Sequence, residues 1–209
     1  MIDARGVGVQ SRGIELLPPT TLRADAGEAV AVRGRNGSGK STLLRVLNGS
    51  VAPTAGTVTV AGGEPASRGP EARRRTASMI GLPPMAPDLT LIDHVRLVAS
   101  TWYASAAEGD DAVEGVVDGL GLASLIARFP HELSSGQTQL FGLSLVLVRP
   151  FEVLLLDEPE QRLDPDRLAL VVALLRDRRE SGATLVVATH SDDLCRGLAD
   201  RVVILDEGA

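Results

Sequence analysis

The sequence is poor in cysteine, in aromatic residues and in positive charge. Its one cysteine among 209 residues, Cys195, excludes a disulfide framework and a metal site built from cysteines. Because the formal net charge is −6, a general affinity for the phosphate backbone of DNA or RNA is not expected, since proteins that bind nucleic acids usually present a basic face. We therefore expect no nucleic-acid partner.

Long apolar runs are also missing. The N-terminal residues lack the apolar stretch of a secretion signal, and no segment approaches the roughly 20 apolar residues that a membrane-spanning helix needs. The longest candidate, residues 140–148, is less than half of that length and predicts a buried helix. These absences predict a cytoplasmic protein that reaches a membrane only through a partner.

The sequence does contain an alternation of apolar strands and helical patterns. Four segments are short and continuously apolar, which is typical of parallel strands covered on both faces: residues 29–32, 153–156, 184–188 and 202–205. Between them, apolar residues from 168 to 175 recur at helical spacing, after Asp164 as an N-cap and Pro165 at the first helical position. This alternation predicts an α/β core.

Two regions do not fit that core. Residues 1–30 and 56–61 predict short antiparallel strands, with turns such as the one at residues 26–28. Residues from about 82 to 150 predict helices, interrupted by a turn at residues 108–111. We therefore expect one domain over residues 1–209, in which an α/β parallel-sheet core carries an antiparallel β subdomain and an α-helical subdomain.

The stretch from Gly34 to Thr42, GRNGSGKST, matches the phosphate-loop pattern G-x-x-x-x-G-K-[ST] between a predicted strand and a predicted helix. Its glycines allow the backbone N–H groups and the helix N-terminus to converge on an anion. Lys40 supplies a charge for the β- and γ-phosphates, and the Ser41 hydroxyl is placed to bind Mg²⁺. The predicted nucleotide-binding residues here are Gly34, Asn36, Gly37, Ser38, Gly39, Lys40, Ser41 and Thr42.

Two further core strands end in polar side chains. Asp157 and Glu158 follow one of them, and buried carboxylates are costly unless they serve a cation or a proton. We expect Asp157 to hold Mg²⁺, directly or through water, together with Ser41, and Glu158 to polarise the attacking water. His190 closes another strand at its carboxyl end, where open α/β sheets bind ligands, and should contact the γ-phosphate. With Lys40, Glu158 and His190 are the predicted catalytic residues.

Residues 133–137, LSSGQ, narrow the class of protein. A phosphate loop alone leaves kinases, GTPases and many ATPases open. By itself the segment is a Ser/Gly helix start whose N–H groups and hydroxyl can bind an anion. It resembles the LSGGQ signature of ATP-binding cassette (ABC) ATPases, with Ser135 in place of the first glycine.

The resemblance to ABC ATPases covers essentially the whole chain in the family's motif order. The phosphate loop is similar to Walker A, residues 153–158 to the Walker B strand, residues 163–164 to the D-loop and His190 to the switch histidine. The resemblance implies a P-loop NTPase fold and a dimer that sandwiches two ATP molecules. Ser134, Gly136 and Gln137 would then contact the nucleotide held by the other subunit.

Three departures from the family pattern stand out. The family's Q-loop glutamine is missing from residues 79–87, which look shortened, so the Q-loop is either absent or rebuilt around Pro83 and Pro84. No aromatic residue precedes Trp102, so the adenine contact should come from an aliphatic side chain or Arg12. The D-loop carries Gln161 and Arg162 where small residues are usual. These departures place the adenine end and the link to a partner outside the usual pattern.

The function implied is that of an ATP-hydrolysing, Mg²⁺-dependent subunit of an ABC transporter. It would be peripheral on the inner face of the cell membrane, would form a homodimer or a heterodimer with another ABC ATPase, and would drive separately encoded transmembrane permease subunits. The compact chain, which ends at Ala209, favours export. The alternative is a non-transport ABC ATPase that acts in membrane signalling, in DNA repair or on ribosomes.

Overall fold

A parallel sheet of five strands forms the centre of the molecule. The computed structural model describes residues 1–65, 69 and 74–205. The sheet contains β3 (Ala29–Gly34), β5 (Thr76–Met79), β6 (Val153–Asp157), β7 (Thr184–Ala188) and β8 (Arg201–Leu205), in the order β5-β6-β7-β3-β8. The four strands predicted from their apolar runs are therefore confirmed.

A second, antiparallel sheet has the order β2-β1-β4, with β1 (Ile2–Ser11), β2 (Ile14–Ala24) and β4 (Ala55–Val60). It confirms the predicted antiparallel subdomain, although β1 and β2 are longer than expected, at 10 and 11 residues. Pro18 and Pro19 interrupt the sequence of β2. The register jumps across them, from Val9↔Leu17 to Val7↔Thr20, and β2 is an edge strand, so their missing N–H groups are tolerated there.

Six α-helices lie wholly in the described part of the chain: α1 (Lys40–Leu47), α2 (Leu91–Trp102), α3 (Ala106–Gly119), α4 (Ser135–Leu147), α5 (Pro165–Glu180) and α6 (Asp192–Leu198). Two short 3-10 helices, Ala123–Leu125 and Pro130–Glu132, lie between α3 and α4. The start of α5 is as predicted, because the Asp164 carboxylate accepts the N–H of Arg167 at 2.9 Å and Pro165 is the first helical residue. None of the helices in the described ranges has both the length and the apolar character that crossing a membrane requires.

The turn predicted at residues 108–111 is wrong, because α3 runs through it without interruption. The composition of this segment resembles a loop, but Gly109 is buried where α3 packs against α2. A Cβ atom there would lie 3.8 Å from Cβ of Tyr103 and 3.9 Å from Cβ of Ala99, which is ordinary van der Waals contact. The helix therefore forms through its packing on α2, which overrides the weak helical propensity of the segment.

The parallel sheet separates two apolar cores. On one face, Leu154 and Leu156 of β6 pack with α2, α3, α4 and α5. On the other face, Val153 and Leu155 pack with Leu43 of α1 and with the antiparallel sheet. Because both faces are covered, the strands are continuously apolar, and the polar residues that follow them are concentrated at the carboxyl edge of the sheet.

Candidate active site

The ends of β3, β6 and β7 are hydrogen-bonded side by side at the carboxyl edge of the sheet. The N–H of Thr189 donates to the carbonyl of Val32 at 3.1 Å, and the N–H of Glu158 donates to the carbonyl of Ala188 at 2.8 Å. The phosphate loop, the acidic pair and His190 each follow one of these strands directly. Residues far apart in the chain thus meet at one edge, as expected for an open α/β sheet.

The phosphate loop closes so tightly that two of its glycines cannot be replaced without a clash. A Cβ atom at Gly39, which begins α1 in the left-handed region with a φ of 93°, would lie 2.8 Å from the Leu17 side chain and 2.9 Å from the Leu16 carbonyl. At Gly34 it would lie 2.5 Å from Oγ of Ser38. The chain's own packing around the loop therefore requires glycine at both positions.

Two polar side chains of this loop fit an anion. The buried ammonium of Lys40 donates to the carbonyls of Gly34 at 2.8 Å and Arg35 at 3.0 Å, so its charge lies at the loop itself. Oγ of Ser38 is buried and has no hydrogen-bond partner in the described ranges. A buried hydroxyl without a partner is costly, and a phosphate oxygen would satisfy it.

The remaining residues predicted in this loop are more accessible. Asn36 and Gly37 form its exposed tip, and Gly37 has a φ of 90° that favours glycine. Ser41 and Thr42 lie half-buried in the first turn of α1. All eight predicted positions therefore belong to one continuous loop and helix start.

The two predicted magnesium ligands, Ser41 and Asp157, lie on elements that pack against each other. Asp157 is half-buried at the end of β6, and α1 packs against β6. In the described part of the chain, no group of three or more His, Cys, Asp or Glu residues is placed to hold a metal ion alone. Mg²⁺ prefers oxygen ligands and usually combines one or two carboxylates with phosphate oxygens and water, which suits this sparse ligand set.

Glu158 and His190 form a pair beside the phosphate loop. Nε2 of His190 lies 3.5 Å from Oε1 of Glu158, and Oε2 of Glu158 accepts a hydrogen bond from the Gln161 amide. Glu158 has a φ of 47°, which is unfavourable for a residue with a side chain. Such strain concentrates at functional sites, so the conformation is consistent with a catalytic role.

The signature segment begins α4. Ser134 and Gln137 form a capping box, in which the N–H of Ser134 donates to the Gln137 side chain at 2.8 Å and the N–H of Gln137 donates to the Ser134 hydroxyl at 3.4 Å. Gly136 is buried, whereas Ser134 and Ser135 are exposed. Among the described residues, no hydrogen bond joins residues 133–137 to the phosphate loop.

The loop after β5 packs onto α4 where the glutamine of the family pattern is missing. A Cβ atom at Gly142 would lie 2.9 Å from the Leu82 side chain and 3.2 Å from Pro83. Farther along, the N–H of Ala86 donates to Nε2 of His94 at 2.8 Å, which fixes the loop to α2. These contacts hold the loop against α4 and α2, and a Q-loop rebuilt around its prolines stays a prediction.

A cavity of about 200 Å³ is lined by Asp157 and by two glutamines, Gln139 and Gln161. The sequence analysis gave neither glutamine a role in the site. The Gln139 amide donates to the carbonyls of Glu158 and Pro159, each at 3.3 Å. The sequence pattern marks Gln161 only as a departure from the small residues that are usual at this position of the family. Glu160, which follows Pro159, was also missed, although its place two residues after Glu158 was the available signal.

The residues predicted to contact adenine lie in and just after the turn between β1 and β2. Arg12 lies exposed in the hairpin between β1 and β2 with a φ of 50°. Ile14 and Leu16 follow it and are also exposed, and the Leu16 carbonyl approaches Gly39 of the phosphate loop. The adenine contact from an aliphatic side chain or Arg12 therefore stays a prediction. Ile14 and Leu16 are exposed aliphatic residues, and Leu16 lies next to the phosphate loop.

Known proteins resemble this chain along its whole length. The family model described as ABC transporter matches residues 17–161. The methionine import ATP-binding protein MetN 1 of Burkholderia lata is 36% identical over 217 residues, which cover 100% of this chain and 63% of that protein. MetN of Myxococcus xanthus is 33% identical over 219 residues, covering 100% of this chain and 66% of that protein. The chain thus spans just under two thirds of the length of these relatives.

Solved structures of ATP-binding cassettes have the same fold as this chain. The ATP-binding subunit of an ABC transporter has a TM-score of 0.87 and 26% identity, over 100% of this chain and 88% of that one. The ATP-binding cassette MJ0796, solved as a dimer in a post-hydrolysis state with ADP and Pi, has a TM-score of 0.84 and 25% identity. The match covers 100% of this chain and 95% of that one. The family match includes the phosphate loop, the signature and the acidic strand end, and the chain therefore belongs to the ABC transporter family as an ATP-binding cassette.

Proposed function

We propose that this chain binds and hydrolyses ATP as a subunit of an ABC transporter and that residues 1–209 act as one ABC ATPase domain with a helical subdomain at about 82–150. The observation that carries the proposal is the Glu158–His190 pair, 3.5 Å apart at strand ends adjacent to the phosphate loop. The match to ATP-binding subunits of known transporters supports it.

In the proposed reaction, the phosphate loop and Lys40 hold the β- and γ-phosphates, since a buried ammonium and convergent N–H groups stabilise the charge that develops there. Glu158 accepts a hydrogen bond from the attacking water and orients it toward the γ-phosphate. His190 contacts the γ-phosphate and, through Glu158, the water. Mg²⁺ bound by Ser41 and Asp157 would neutralise phosphate charge.

We propose that the signature segment completes the site of a second subunit. The exposed start of α4 offers Ser134, the N–H groups near Gly136 and Gln137 to an anion outside this chain. The dimeric state of the related cassette MJ0796 supports this arrangement. The partner is a second copy of this chain or another ABC ATPase.

We further propose that the dimer drives transmembrane permease subunits at the inner face of the cell membrane, docked by the helical segment. Leu82 and Leu97, exposed in that segment, support a docking role. The export expected from the sequence finds no support in the curated relatives, which are import proteins. The names of these relatives favour import. We therefore propose import as the direction of transport for this chain, and we propose no transported substrate.

Glu158→Gln tests the catalytic assignment. The variant should bind ATP with unchanged affinity, lose turnover and accumulate as an ATP-bound dimer, because the amide cannot accept the proton of the attacking water. Size-exclusion chromatography at saturating ATP and a phosphate-release assay measure both effects. Glu180→Gln, exposed at the end of α5 and at the opposite edge of the sheet, is the matched control. A Glu158→Gln variant that stays monomeric and hydrolyses ATP normally contradicts the assignment.

Co-purification tests the transport function. The wild-type chain, tagged and expressed with its genomic neighbours, should be recovered with a polytopic membrane protein. Stable recovery with ribosomes or with DNA would contradict a transporter subunit while leaving ATP hydrolysis intact.

A further inference from the structure

Glu160 occupies the loop between β6 and α5 and reaches across to the end of β7. Its Oε1 atom accepts a hydrogen bond from the Thr189 hydroxyl, a second from the N–H of His190 at 2.9 Å and a third from the N–H of Ser191 at 3.3 Å. One carboxylate oxygen thus holds three donors on both sides of His190. Hydrogen bonds to a charged acceptor are stronger than neutral ones, so this contact fixes the backbone there.

The other side of His190 is held as well. Nη2 of Arg33 donates to the His190 carbonyl at 3.3 Å, and Nη1 pairs with the Asp192 carboxylate at 2.6 Å. The His190 side chain itself is 47% exposed. Packing therefore does little to orient the imidazole, and its position follows from the backbone that Glu160 and Arg33 hold.

Two contacts join the loop of Glu158 to the segment of His190. At one end the N–H of Glu158 donates to the carbonyl of Ala188 at 2.8 Å, and at the other Glu160 accepts the N–H of His190. The gap of 3.5 Å between the Glu158 and His190 side chains lies between these two attachments. Loss of the second attachment would free His190 to move relative to Glu158.

The arrangement is not one that stability alone favours. Oε2 of Glu160 is buried and has no hydrogen-bond partner in the described ranges. An unsatisfied buried carboxylate oxygen lowers the stability of the fold. The same carboxylate fixes the backbone geometry of residues 189–191 through Oε1, which is a functional reason for its presence.

We propose that Glu160 is a positioning residue for ATP hydrolysis, which sets the distance between His190 and Glu158 by holding the backbone N–H of His190. The proposal rests on the function proposed above. It assigns Glu160 no contact with ATP, so its effect should appear in turnover and not in nucleotide binding.

Steady-state ATP hydrolysis by four variants of the purified chain tests the proposal. Glu160→Ala should lower kcat by about tenfold to a hundredfold, because a small displacement of a catalytic group has effects of that size, and should leave KM for ATP within about twofold. Glu160→Gln keeps an acceptor oxygen for the N–H of His190 and should recover most of the activity. Glu160→Asp keeps the charge but shortens the reach, and should behave like Glu160→Ala. Glu180→Ala is the control.

A double-mutant cycle with His190→Ala separates positioning from a general structural effect. If Glu160 acts through His190, the double variant Glu160→Ala/His190→Ala has the same kcat as His190→Ala alone, since coupled residues are not additive. A Glu160 that only stabilises the fold would lower kcat by the same factor in both backgrounds, and that result overturns the proposal. If Glu160→Ala does not fold, Glu160→Asp replaces it in the cycle.

The outcomes distinguish this proposal from the function on which it rests. Wild-type turnover in His190→Ala would contradict the role of His190 and, with it, the role of Glu160. Lost turnover in His190→Ala together with wild-type kcat in Glu160→Ala and Glu160→Asp would overturn only the positioning role.

Discussion

Gly136 lies against the carbonyl oxygen of Arg162, where a Cβ atom would come within 2.6 Å. The contact joins the signature helix α4 to the loop that follows Glu158. Gln139, one turn farther along α4, donates to two carbonyls of the same loop. The segment proposed to contact the nucleotide of a second subunit and the loop proposed to act on the chain's own nucleotide are therefore packed as one unit.

Gly136→Ala should disturb that unit. Because the Arg162 oxygen belongs to the backbone and cannot swing away, we expect the loop to shift, with a loss of about 1–3 kcal/mol in the free energy of unfolding and lower turnover. Urea denaturation and ATP hydrolysis measure these effects. Ser135→Ala, at the exposed neighbouring position, is the control. Unchanged turnover and stability in Gly136→Ala would show that the contact can relax.

Gly39→Ala should weaken nucleotide binding. The residue combines a φ of 93° with a Cβ position 2.8 Å from Leu17, so the phosphate loop must open to accept a methyl group. We expect the affinity for a fluorescent ATP analogue to fall at least about tenfold, since strained backbone of this kind costs about 1–3 kcal/mol. Equal affinities in wild type and variant would contradict the assignment of this loop.

Gly115→Ala is the opposite case. Gly115 lies exposed inside α3, and a Cβ atom added there would meet no other atom within 4 Å. Alanine is the better helix former, so we expect a gain of about 0.5–1 kcal/mol in the free energy of unfolding, without a change in nucleotide affinity. Thermal denaturation measures the gain, and a lower melting temperature would contradict the structure of α3.

Two substitutions of Ser134 separate capping from phosphate binding. Ser134→Ala removes the side-chain acceptor for the N–H of Gln137 and should cost about 1 kcal/mol in the free energy of unfolding. Ser134→Asp preserves the cap but brings a negative charge to the proposed phosphate contact. We therefore expect it to unfold like the wild type and to lose ATP-dependent dimerisation. A Ser134→Asp chain that dimerises normally with ATP would exclude this segment from the shared site.

The start of α2 should contribute a pH-dependent stability. Hydrogen bonds from the hydroxyl and the N–H of Thr90 lower the pKa of Asp93 below its ordinary value of 3.8. A carboxyl whose pKa is lower in the folded state stabilises the fold above pH 3.8, and the contribution disappears as the pH falls through the folded pKa. Asp93→Asn should therefore be less stable than wild type near neutral pH, and the difference should narrow in acid. Urea denaturation at several pH values measures it, and a difference independent of pH would contradict this account.

Much of the fold could be predicted because it follows from local rules. Strands β3, β6, β7 and β8 were recognisable as continuous apolar runs, and the N-cap at Asp164 by its own chemistry. The prediction of a turn at residues 108–111 was wrong because this segment packs against α2, and that contact overrides its weak helical propensity. That contact joins segments whose pairing no local pattern shows.

The sequence by itself determined the phosphate loop, because all its parts lie within residues 34–42 and its backbone geometry depends on glycines at fixed positions. It also placed Asp157, Glu158 and His190 at strand ends, since polar residues after buried strands must emerge at the edge of the sheet. Only the tertiary structure decided which of these groups touch. Three contacts join segments 26 to 32 positions apart: His190 with Glu158, residues 189–191 with Glu160, and Arg162 with Gly136. Such contacts depend on strand order and register.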